Sequence, residues 1–118
     1  MSTQDPIVIV AAKRTPMGGF MGGLSAVSAT TLGATAIRGA MQAANLSNDQ
    51  VDEVIMGCVL PAGLKQAPAR QAALEADLDL STACTTINKV CGSGMKAAMQ
   101  AHDALLAKYN VTSSLGLA

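Results

Sequence analysis

Asn88-Lys89-Val90-Cys91-Gly92-Ser93-Gly94-Met95-Lys96-Ala97 joins a β-type run, Cys84-Thr85-Thr86-Ile87-Asn88-Lys89-Val90, to a helical run from Met95 to Leu106. This strand-to-helix seam places Cys91 in the first turn of a helix. A thiol there faces backbone N–H groups without helical partners and the positive end of the helix dipole. Both favour the thiolate, which is the nucleophilic form of cysteine. Gly92, Ser93 and Gly94 carry little or no side chain, so a substrate carbonyl can approach the sulfur closely. This arrangement suits covalent catalysis by acyl transfer. By pattern alone, Cys91 reads equally well as a small buried thiol at a helix start.

Working outward, the chain reads β-α-β-α-β-α. Ile7-Val8-Ile9-Val10 is a continuous apolar run, as expected of a strand covered on both faces. Gly18-Gly19 and Gly22-Gly23 bracket a loop. From about Thr30 to Ala44, Leu32, Ala36, Ala40 and Ala44 recur every four residues, which predicts a helix. Asn45 and Ser47-Asn48-Asp49 end it. Val54 to Leu60 reads as the second strand, with Gly57 inside it. Pro68 sits where a first helical turn tolerates proline, and that helix runs to about Ala76. Cys84 to Val90 is the third strand. The last helix, from about Gly92 to Ala107, carries Met95, Ala98, Met99, His102, Leu105 and Leu106 on one stripe. The alternation predicts an α/β fold, a parallel or mixed sheet with helices packed on it.

At the Cys91 segment the chain resembles the active-cysteine motif of the thiolases, within them the acetyl-CoA C-acetyltransferase (acetoacetyl-CoA thiolase) branch. Further stretches agree in order and spacing. Ile7 to Pro16 resembles the family's first strand and following turn; Gly18-Gly19-Phe20 and Leu32-Gly33 its loop and first helix. Val51 to Gly57 resembles the second strand, and Gln66 to Leu74 the second helix. The resemblance covers residues 6 to 107 and implies the first β-α-β-α-β-α part of a thiolase-type N-terminal domain, a mixed sheet with helices on both faces, truncated. Residues 1–107 are expected to form that partial domain, and 108–118 a tail that does not match the family. One local departure lies where the family has Gly-Gln-Asn-Pro and this chain has Lys65-Gln66-Ala67-Pro68, a change expected to be tolerated.

Composition narrows the function classes. Among 118 residues, half are hydrophobic, yet there is one Phe, one Tyr and no Trp. Such small and aliphatic side chains suit helix layers packed tightly on a sheet more than a small self-sufficient domain. Eight basic residues balance eight acidic ones without clusters, which argues against nucleic acid or an anionic membrane surface as a partner. The polar start, Met1 to Pro6, lacks the basic region of a signal peptide, and no apolar run is long enough to span a membrane. Three irregularly spaced cysteines argue against a disulfide framework and fit a reducing cytoplasm.

The other chemical side chains read more plainly. Cys58 and Cys84 are expected to pack as small hydrophobes. His102, the only histidine, lies eleven residues past Cys91 on the same helix, about three turns away, and cannot serve as its base. Arg70 reads equally as a loop anchor or a surface charge. No residues have metal-ligand spacing, and the glycine-rich loop at 18–23 does not match a phosphate cradle.

The resemblance implies a catalytic role for Cys91 alone among these residues. Cys91 would take the acyl group from an acyl-CoA, and a second acyl-CoA carbanion would attack that acyl-enzyme. The reverse reaction cleaves a 3-ketoacyl-CoA with free CoA. Coenzyme A thioesters would be substrates, with no cofactor held permanently. In thiolases the histidine, second cysteine and further oxyanion donors come from the C-terminal domain, and none has a match here. The complete enzymes would be homo-oligomers, dimers or tetramers. Three readings stay open: a short-chain or longer-chain thiolase, a non-catalytic truncated fragment, and a thiol-based redox site at Cys91.

Overall fold

A computed structural model describes residues 5–107 and the backbone of 114–117. Helix α1, Ala29–Ala44, begins where the Ser28 side chain accepts the Thr31 N–H and ends where Asn45 turns left-handed at φ 54°. Strand β1 is Glu53–Gly57 and helix α2 is Pro68–Glu75, with the proline in its first turn. Strand β2, Ala83–Ile87, leads to helix α3, Ser93–Leu106. Strand β3 is Ser114–Leu117. The strands are parallel in the order β2-β1-β3, with Val54 opposite Cys84 on one side and Leu115 on the other.

Alternation along β1 sorts the layers. Val54 and Met56 face α1 and α2, where Ala34, Ile37, Met41, Ala72, Ala73 and Ala76 close a core. Ile55 faces the opposite side and packs with Ala97, Ala101 and Ile87. The helices therefore cover both faces, as the sequence predicts. Arg38 strengthens the α1–α2 contact by donating to the Glu75 carbonyl at 2.7 Å.

Four expectations change. Ile7 to Val10 is not a strand: Val8, Ile9 and Val10 are 68–89% exposed. A strand needs a ladder of main-chain bonds, and the ladders of the described sheet join β1 to β2 and β3 without this segment. The described sheet is parallel throughout, and the second and third strands stop earlier than predicted, at Gly57 and Ile87. The expected apolar stripe of α3 is not its buried face. Met95 is 71% exposed and Met99 51%, whereas Ser93, Ala97 and Ala101 face the sheet. At Gly57 the first turn of α3 lies directly against β1, and further along the small Ala97 and Ala101 pack on Ile55. The expected tail at 108–118 lies outside the described residues, apart from the backbone of β3.

Candidate active site

Strand β2 and helix α3 meet in a tight turn, and Cys91 stands on it as an exposed free thiol. The turn starts at Asn88, whose Oδ1 accepts the Val90 N–H at 2.9 Å and whose Nδ2 donates to the Val59 carbonyl at 3.2 Å. Val90 adopts a left-handed φ of 49°, which takes the chain out of the strand direction. The Ser93 hydroxyl accepts the Lys89 N–H at 2.9 Å and donates to the Val90 carbonyl at 2.6 Å. Main-chain bonds from Gly92 N to the Lys89 carbonyl and from Ser93 N to the Val90 carbonyl complete the reversal into α3.

Gly57 allows the first turn of α3 to sit directly on β1. A Cβ there would lie 2.4 Å from the Ser93 carbonyl carbon and 2.5 Å from the Gly94 nitrogen. The bond from Cys58 N to the Ile87 carbonyl ties the ends of β1 and β2 together beside it.

The structure separates the other singled-out residues from this turn. Cys84 is half-buried against the α1–α2 core. Cys58 lines a cavity of about 390 Å³ with Lys13, Arg14, Met56 and Ala72, and Cys91 is not among its walls. His102 Nε2 lies 2.5 Å from Asp5 Oδ2, and its Nδ1 lies 3.4 Å from Asp103 Oδ1. The hydrogen bond to Asp5 first, then that to Asp103, raises the His102 pKa above 6.5. Asp5 is held below 3.8 by the Ile7 backbone N–H first and by His102 second. Arg70 proves to be a loop anchor, donating to the carbonyls of Leu80 and Thr82, both at 2.9 Å. Among the described residues no group of His, Cys, Asp or Glu could hold a metal ion, and no helix is long and apolar enough to cross a membrane.

Sequence reasoning singled out Cys91 but missed Asn88 and Ser93. Asn88 reads as part of the strand and Ser93 as a small spacer. The available signal was an Asx-type residue ahead of a glycine-bearing turn, where short polar side chains bond the backbone.

Residues 7–113 match the thiolase N-terminal domain family. The chain belongs to the thiolase family. It is 54% identical over 104 residues to mitochondrial acetyl-CoA acetyltransferase of Homo sapiens, covering 88% of this chain and 24% of that one. The Danio rerio protein of the same name is 56% identical over 102 residues, covering 86% and 24%. The fold superposes on a crystal structure of Acat5 thiolase from Ascaris suum in complex with coenzyme A. The TM-score is 0.84 at 39% identity, with 86% of this chain and 26% of that one covered. This thiolase chain thus spans about a quarter of the length of these relatives.

Proposed function

We propose that this chain carries the acyl-accepting half of a thiolase-type acetyltransferase, with Cys91 as the nucleophile. The observation that carries the reading is the exposed Cys91 thiol on the β2–α3 turn, inside the segment matched to the family. The Cys91 sulfur attacks the thioester carbonyl of acetyl-CoA. The new C–S bond forms as the bond to coenzyme A breaks, and CoA leaves as its thiolate. A base removes a proton from the methyl of a second acetyl-CoA, and the carbanion attacks the acetyl-cysteine; the new C–C bond forms as the C–S bond breaks, giving acetoacetyl-CoA and the Cys91 thiolate. Thiolysis of acetoacetyl-CoA is the reverse.

His102 is not the base for this thiol. It stands about 16 Å along the helix from Cys91, at 1.5 Å per residue, and is engaged with Asp5. The chemistry therefore draws its base, second cysteine and remaining oxyanion donors from thiolase segments that these 118 residues do not match. Coenzyme A in the Ascaris suum neighbour and the names of the curated relatives support CoA thioesters as substrates and acetyl as the transferred group. The complete enzyme is a homo-oligomer that needs neither nucleic acid nor membrane. Three free thiols fit a reducing compartment, which we take as the cytoplasm; fractionation tests this against the mitochondrial placement in the relatives' names.

Incubating the purified chain with acetyl-CoA and mapping its peptides tests the reading. Slow formation of one acetyl thioester on Cys91 is expected, without the base that would speed it, and with negligible turnover of acetoacetyl-CoA. Acetylation that is absent, or shared equally with Cys58 and Cys84, contradicts it.

A further inference from the structure

We propose that Ser93 and Asn88 are positioning residues for Cys91, because together they clamp Val90 in the left-handed conformation that aims the thiol outward. The proposal rests on the reading of Cys91 as the acyl nucleophile and concerns how the chain presents it.

Val90 is the unusual member of the turn. Its φ of 49° lies where β-branched residues are rarely found, so something outside the residue must hold it there. Two side chains do so, one on each peptide group. Asn88 Oδ1 accepts the Val90 N–H, and the Ser93 hydroxyl donates a hydrogen bond to the Val90 carbonyl. The same Ser93 oxygen takes the Lys89 N–H, so one hydroxyl bridges the strand side and the helix side of the turn. Both clamps are themselves anchored. Ser93 is 5% exposed and its backbone lies against Gly57. Asn88 is tied to the Val59 carbonyl in the loop after β1. If Val90 relaxed to the usual negative φ, the backbone would rotate by more than about 100° at the residue preceding Cys91. The Cβ and sulfur of Cys91 would swing with it. Misplacing a reacting atom by about 1 Å is enough to slow a reaction by roughly a hundredfold.

The test uses the full chain and follows acetyl transfer from acetyl-CoA to Cys91 by peptide mapping. Iodoacetamide labelling of Cys58 serves as the internal control, and circular dichroism checks the fold. Ser93→Ala and Asn88→Ala are each expected to slow acylation of Cys91 by roughly tenfold or more, with Cys58 labelling unchanged. Asn88→Asp retains the acceptor for Val90 but loses the donor to the Val59 carbonyl, so its rate should fall between those of the parent and Asn88→Ala. A readout beyond simple stability is rescue at Val90: asparagine adopts positive φ readily, so Ser93→Ala combined with Val90→Asn should recover most of the rate. Unchanged acylation in folded Ser93→Ala and Asn88→Ala overturns the proposal, and so does failure of Val90→Asn to rescue. Should Ser93→Ala not fold, the Asn88 pair decides, and equal rates for Asp and Ala overturn it. If the parent Cys91 takes no acetyl group but its iodoacetamide rate still falls in the variants and recovers with Val90→Asn, the acyl-transfer reading fails and the positioning stands. If neither rate responds, the positioning fails.

Discussion

Replacing Gly57 by alanine probes how the fold supports the Cys91 turn. The added Cβ would lie 2.4 Å from the Ser93 carbonyl carbon, 2.5 Å from the Gly94 nitrogen and 2.7 Å from the Ser93 oxygen. Ordinary contact begins near 3.4 Å, so the first of these is about 1 Å too short. The obstructing atoms are backbone, and no rotamer change relieves them. Either α3 lifts from the sheet at its first turn or β1 bends away. Overpacking of this kind costs about 1–3 kcal/mol. Because Ser93 is itself the obstructed residue, its bonds to Lys89 and Val90 must distort as well. Gly57→Ala should therefore lower the urea midpoint by an amount equivalent to about 2 kcal/mol. It should also slow acetylation of Cys91 more than iodoacetamide labelling of Cys84. A Gly57→Ala chain with unchanged urea midpoint and unchanged Cys91 acylation would refute the close-contact argument.

Other consequences follow from single residues. Lys65 and Ala67 have left-handed φ values of 64° and 45°, at the two positions where the family pattern has glycine and asparagine. Left-handed backbone costs an ordinary residue about 1–2 kcal/mol, so Lys65→Gly and Ala67→Asn should each stabilise the chain by about 1 kcal/mol, read in urea; no gain would contradict the strain assignment. Arg70→Met removes charge-assisted donors from the Leu80 and Thr82 carbonyls and should cost about 2 kcal/mol in the same assay. The His102–Asp5 contact sets a pH window. The raised His102 pKa makes its contribution complete below 6.5 and lost as pH rises through the folded value; the lowered Asp5 pKa makes its contribution complete above 3.8 and lost as pH falls through the folded value. The contact thus holds fully between those two pH values, and Asp5→Asn should move the NMR titration of His102 to lower pH; an unmoved midpoint refutes the pairing.

The helices were legible because each carries its own signals: four-residue alanine spacing and Asn45 for α1, Pro68 for α2, the glycine-flanked turn for α3. The place of Cys91 was legible for the same reason, since it stands where strand pattern gives way to helix pattern. Strand boundaries were not. Ile7 to Val10 has strand composition, yet pairing is decided by which segment occupies the edge of β1, a non-local competition that composition does not encode. The buried face of α3 differs from the hydrophobic stripe because hydrophobicity favours Met95 and Met99, whereas the helix sets Ser93 beside Gly57 and packs Ala97 and Ala101 on Ile55. Asn88 and Ser93 act through bonds to main-chain atoms, and those partners exist only once Val90 has turned.

The most direct test of the central claim is the fate of one acetyl group. After incubation with acetyl-CoA, the parent chain should carry an acetyl thioester on the peptide containing Cys91, removable by hydroxylamine. The label should be absent from the peptides of Cys58 and Cys84 and from a Cys91→Ser chain treated alike. An unlabelled Cys91 peptide, or an equal label when Cys91 is replaced, would contradict the account.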